Sequence, residues 1–180
     1  MRRRFSVITH WGVYLGLAGY WLILNTVPWE VLYQLPGFPG TVTMMESAFP
    51  SIAGLPDEVR FGGLLHSKAQ LTVIHITGTI AICLVAVEAR EFDRARPIPL
   101  TSYILGSLCW LALAVFLLWF LTVWDGSASD KRPYSAIGHD SEVKMTAVYI
   151  FYWWMICGCV AFAKSIFLTG LRRMRSVDRA

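Results

Sequence analysis

Residues 103–124 read YILGSLCWLALAVFLLWFLTVW, an unbroken apolar run without a single charged side chain. A helix needs about 20 such residues to cross the hydrocarbon core of a bilayer, so this stretch by itself argues for a membrane protein. Three further apolar runs accompany it, from about Val7 to Val27, Ala69 to Val87 and Met145 to Leu168. The first ends at Pro28, which has no backbone N–H with which to continue a helical ladder. That run is too long for a signal-peptide apolar region and lacks a clear cleavage motif, so it is expected to stay in the mature protein. All four runs are predicted to be helices, because lipid offers backbone groups no other partner. The expectation is an all-α, integral membrane four-helix bundle: one four-span domain over residues 1–180, with a long outer connection at 28–68.

Composition supports the same class. The chain is 56% hydrophobic and 16% charged, with a mean hydropathy of +0.51, whereas soluble domains carry about 25% charged residues. A water-soluble enzyme and a disordered chain are both excluded on these figures. Eight Trp, seven Tyr and ten Phe in 180 residues exceed what a small core buries, while a bilayer accepts such rings at its interfaces. The length leaves no room for a large extramembrane catalytic domain. The net charge of +4 does not imply nucleic acid, because the basic residues sit beside apolar runs rather than in a domain of their own.

The charges between the runs predict orientation. Arg2, Arg3, Arg4, Arg90, Arg94, Arg96, Arg172, Arg173, Arg175 and Arg179 fall on one side, and Arg60, Lys68, Lys131, Arg132 and Lys144 on the other. By the positive-inside rule both termini are expected in the cytoplasm, with the protein in a bacterial inner membrane. Glu30, Glu46, Asp57, Glu58, Asp125, Asp130, Asp140 and Glu142 all fall on the outer side. Cys83, Cys109, Cys157 and Cys159 lie inside the apolar runs without CxxC spacing, and read as buried small apolar residues rather than a disulfide or zinc framework. The outer connection is rich in Pro, Gly and aromatic residues and reads as a functional or docking surface. Its start, Trp29 to Leu35, reads as a short interfacial helix.

Ionisable groups inside a membrane are functional candidates by default. His10 lies about one turn into the first run, His75 one to two turns into the second, and His66 near the outer surface before it. Neutral imidazole is an axial ligand for haem iron, and helical bundles hold cofactors between inward-facing side chains. Gly78 and Thr79 follow His75 on the same helical face, where a flat ring could approach the backbone. Gly12, Gly16 and Gly19 form a small-residue stripe on the first run, suited to close helix packing or to a cofactor edge. The plain alternatives are an interfacial His10 bonded near the headgroups and a His75 satisfied by a neighbouring helix. Lys164 either snorkels to the headgroups or bonds a quinone carbonyl or haem propionate, and Glu88 is a candidate ion-pair partner for it. Tyr152, with Trp153 and Trp154, either stacks a quinone ring or packs. His66 and His139 read as surface residues, with a metal site involving Asp140 or Glu142 as the alternative for that region.

The segments Arg4-Phe5-Ser6, Thr9-His10-Trp11 and Val73-Ile74-His75-Ile76-Thr77-Gly78, with Arg90 closing the second run, resemble the di-haem cytochrome b family. That family includes the gamma subunit of membrane formate dehydrogenases and small bacterial four-helix cytochromes b. The likeness covers the first two helices in pattern and the last two only in hydropathy and topology. It implies haem b near each membrane face and an electron path to quinone, with His10 the inner iron ligand and His75, or less readily His66, the outer one. The fourth run departs from the family. It has no histidine between Met145 and Leu168, only groups such as Tyr149, Tyr152, Met155, Cys157, Cys159 and Lys164, which is most simply explained by haem loss or by a ligand from another subunit.

Three functions compete. The first is a membrane anchor and electron-transfer subunit of a respiratory oxidoreductase complex, non-catalytic by itself, linking a partner subunit docked on its outer face to the quinone pool. The second is a haem-free structural or assembly subunit of a larger membrane complex. The third, a transport component, finds no support in broken helices or paired mid-membrane charges. The sequence favours the first.

Overall fold

In a computed structural model of the protein the described residues are 11–53, 63–88, 92, 98–123 and 142–177. They form seven helices and, among the described residues, no strand: α1 Trp11–Thr26, α2 Trp29–Leu32, α3 Phe38–Ala48, α4 Pro50–Ala53, α5 Leu64–Glu88, α6 Leu100–Val123 and α7 Glu142–Val177. Three stretches are long and apolar enough to cross a membrane, Leu65–Glu88, Leu100–Leu121 and Val143–Arg175. Within the expected first span the described helix, α1, is 16 residues long; its start at Val7 lies outside the described residues, as do Arg2 to Arg4, Arg90, Arg94 and Arg96, on which the expected orientation leans.

Local chemistry sets the element ends. The last helical bond of α1 runs from Val27 N to Ile23 O at 3.1 Å. The next carbonyl, that of Leu24, would take its hydrogen from residue 28, which is proline. Two side chains replace the missing donor: Trp29 Nε1 donates to Leu24 O at 2.7 Å and Gln70 Nε2 to the same oxygen at 3.0 Å. Gly37 adopts φ +89° ahead of α3, a conformation open to glycine but strained for other residues, and its carbonyl accepts from Thr41 N at 3.0 Å. The described part of the 28–68 connection is largely helical. Trp29 is only 4% exposed, so its ring is packed within the protein rather than lying at a headgroup surface.

Contacts group the chain into two compact units, residues 1–75 with 122–151 and residues 76–121 with 152–180. In the first, the stretch of α5 from Ser67 to His75 is largely enclosed: Ser67, Ala69, Gln70, Leu71, Thr72, Ile74 and His75 are each at most 1% exposed. Successive helical residues are 100° apart, so this set spans the full circumference of the helix. The connection supplies part of the enclosure, with Lys68 Nζ 2.6 Å from Glu46 Oε1 on α3. The end of α1 joins through Asn25 Nδ2, which donates to Thr146 Oγ1 on α7 at 3.1 Å. Earlier in α1, a Cβ added at Gly16 or Gly19 would meet nothing within 4 Å. The expected small-residue stripe is thus unfilled at these two positions.

In the second unit α6 runs opposite to α7. Trp110 stacks on Phe162 with ring centroids 5.2 Å apart, Ser107 Oγ donates to Ala163 O at 2.9 Å, and a Cβ at Gly170 would stand 2.9 Å from Tyr103 Cβ. Gly78 meets Trp153 and Ala86 meets Lys164, so α5 and α7 run the same way. Most of the remaining surface of α6 is exposed, including Leu105, Val115, Phe116 and Trp119, as suits a helix against lipid.

Candidate functional site

His75 lies within the enclosed half of α5 and is fully buried. Its Nδ1 is 2.7 Å from the carbonyl of Leu71, one turn earlier. A carbonyl only accepts, so Nδ1 carries the hydrogen, and in the neutral ring Nε2 presents the lone pair. Two aromatic rings flank the imidazole: Phe49, at the junction of α3 and α4, with centroids 4.2 Å apart, and Tyr149 of α7 at 5.5 Å. Other fully buried polar groups of this unit are Ser67, Gln70, Thr72 and Thr146. Thr146 Oγ1 donates to Val143 O at 3.0 Å.

An axial imidazole for haem usually donates its second ring nitrogen to a carbonyl or carboxylate, and the Nδ1 contact with Leu71 has that form. The packing around it does not leave room for a porphyrin. Nε2 is itself buried, and Phe49 and Tyr149 lie against the ring. At Gly78, where a flat macrocycle was expected to approach the backbone, an added Cβ would overlap the Trp153 indole. The residues fit the donor chemistry of a haem and not its volume.

His10 and His139 lie outside the described residues. His66 is on the first turn of α5, with Nδ1 3.1 Å from Glu30 Oε1. Backbone hydrogen bonding at Glu30, followed by the His66 contact, holds the Glu30 carboxyl below its ordinary value. Burial, reinforced by the Glu46 charge, pushes the Tyr33 phenol up. Lys164 Nζ donates to the carbonyls of Ala86 and Val87, at the C-terminus of α5, where a cation complements the helix dipole. Its partners are therefore carbonyls rather than the expected Glu88 carboxylate. Tyr152 is stacked on Phe120, centroids 5.5 Å apart.

His75 and His66 belong to the first unit, Lys164 and Tyr152 to the second, and among the described residues no group of three His, Cys, Asp or Glu side chains is placed to hold a metal ion. All four cysteines are free, and Cys83 and Cys109 are exposed along the apolar spans instead of buried. Sequence reasoning missed Phe49 and Gln70. Of these, only Gln70 left a signal, as an amide inside an apolar helix that must find a partner. Comparison with protein-family models, curated proteins and solved structures finds no match.

Proposed function

We propose that this chain is a haem-free structural subunit of a larger membrane complex. The observation that carries this reading is the closed packing about His75, whose imidazole is fully buried between the Phe49 and Tyr149 rings. Rings packed about a buried imidazole tie α5 to the α3–α4 junction and to α7. The exposed Val31, Leu35 and Met44 of the outer connection support a role beside other subunits, since apolar side chains beyond the spans gain from being covered.

The second reading, an electron-transfer anchor linking an oxidoreductase partner to quinone in a bacterial inner membrane, draws support from one contact, His75 Nδ1 to Leu71 O. In that reading His10 and His75 hold haem b, and Lys164 and Tyr152 exchange their present contacts for a quinone. A reduced-minus-oxidised absorbance spectrum of the complex purified from native membranes separates the two. The structural reading expects no b-type signal, and His75→Ala then lowers thermal stability by roughly 2–4 kcal/mol through the cavity it leaves. A b-type signal that disappears in His75→Ala establishes the electron-transfer anchor instead.

A further inference from the structure

Between Lys68 and Glu88 the sequence of α5 has no formal charge, a run close to the roughly 20 residues that a bilayer's hydrocarbon requires. Lys68 thus marks the level at which that run begins. Glu46 of α3 meets this level, with its Oε1 2.6 Å from Lys68 Nζ. Just after it in the chain, the ring of Phe49 lies against His75, which stands about 10 Å beyond Lys68 along α5. The chain from Glu46 to Phe49 therefore advances beside the apolar run rather than away from it, and Ile52 of α4 is fully buried.

The chemistry of the segment suits that depth. Backbone groups in hydrocarbon need partners inside the protein. Phe49 N–H donates to Met45 O at 2.8 Å and Ile52 N–H to Phe49 O at 2.9 Å, while α4 opens on Pro50, which has no N–H to satisfy. On α3, Val42 and Met45 are buried, and Pro39, Gly40, Thr43, Met44, Ser47 and Ala48 are exposed. A helix facing water carries charge on such a face. This one carries none there, because its single charged residue is Glu46, the partner of Lys68. The exposed hydroxyls are returned to the helix's own backbone: Thr43 Oγ1 donates to Pro39 O at 3.1 Å and Ser47 Oγ to Met44 O at 2.7 Å.

We propose that the exposed face of α3 and the α3–α4 junction lie within the leaflet in which α5 begins, covered by lipid acyl chains. Ala48 and Ser47 stand among the methylenes and Met44 at their upper boundary. Depth favours lipid over a protein partner, since Phe49 is level with the interior of a span. So does the surface itself, whose small and internally bonded groups offer no aromatic or arginine anchor for a protein to grip. Val31 and Leu35 precede Gly37 and are left to a neighbouring subunit. The proposal goes beyond the structural role and does not depend on whether the protein binds haem.

The test uses the full chain in phosphatidylcholine nanodiscs. A nitroxide is attached at Ala48→Cys, with Gln34→Cys, exposed ahead of Gly37, as reference, in a Cys83→Ala, Cys109→Ala, Cys157→Ala and Cys159→Ala background. Oxygen, which concentrates in acyl chains, should relax the label at 48 several-fold more strongly relative to a water-soluble nickel chelate than it does at 34. Nickel access at 48 equal to that at 34 overturns the proposal. Exclusion of both relaxants from 48 overturns it too, because protein would then cover the face. A second measurement needs no variant: phosphatidylcholine with a diazirine in its acyl chain, photolysed around the unmodified chain, should leave adducts on residues 38–53. Adducts confined to α5, α6 and α7 overturn the proposal.

Discussion

At the residue scale, His75 and Gly78 separate what a sequence states from what it leaves open. An imidazole in an apolar helix must find a partner, and a glycine one turn later signals a close neighbour; both inferences follow from chemistry alone. The identity of the neighbour does not, because a porphyrin and an indole are both flat and both fit where a Cβ is missing. Here the indole of Trp153, far along the chain, takes the place. Gly78→Ala should therefore destabilise the protein by about 1–3 kcal/mol through overpacking, despite a gain in helix propensity of about 1 kcal/mol. Thermal unfolding in detergent checks this, and adding Trp153→Leu should restore part of the loss. A Gly78→Ala variant as stable as the parent would show that the indole does not press on this position.

At the element scale, the end of α1 was legible and its repair was not. Pro28 announces where the helix must stop, and from that it follows that the Leu24 carbonyl loses its donor. Which groups replace the donor depends on folding: Trp29 is the next residue but one to Val27, whereas Gln70 arrives from 46 residues away. Local pattern cannot find a partner at that separation. Trp29→Phe and Gln70→Leu should each cost about 1–2 kcal/mol, the usual consequence of removing one partner of a buried hydrogen bond. Because the defect lies in proline, Pro28→Ala should recover part of the loss in either variant by restoring a backbone N–H. Chemical or thermal denaturation of the single and double variants measures the coupling, and purely additive effects would refute it. The connection at 28–68 was harder to read for a related reason. Its Pro and Gly residues look like loop composition, yet Gly37 and Pro39 start α3, which then fastens to α5 through Glu46 and Lys68.

At the scale of the whole molecule, hydropathy made the helical membrane class plain, and the three long apolar stretches agree with it within a few residues at most ends. The principal exception is α7, which continues past the expected Leu168 to Val177, since arginines end an apolar run without ending a helix. Global stability should also carry an acid limb. A carboxyl depressed on folding contributes stability above its unfolded value and loses it as pH falls through the lower folded value. For Glu30 that loss sets in as pH drops below the ordinary 4.5, loosening α2 from His66 on α5. Melting curves taken through that range should show a small decline that Glu30→Gln removes, and an unchanged acid limb in this variant would assign the effect to other carboxyls.

The side chains of Lys164, Thr169 and Arg173 grip, in order, the carbonyls that finish α5, the amide of Phe92 and the carbonyl of Ile98. All three belong to the helix that leaves the ribosome after the hairpin it fastens. During synthesis the carbonyls of Ala86, Val87 and Ile98 and the amide of Phe92 must therefore wait for these partners until translation has carried α7 into place. A nascent chain halted before Lys164 would leave the carbonyls of Ala86, Val87 and Ile98 without these donors.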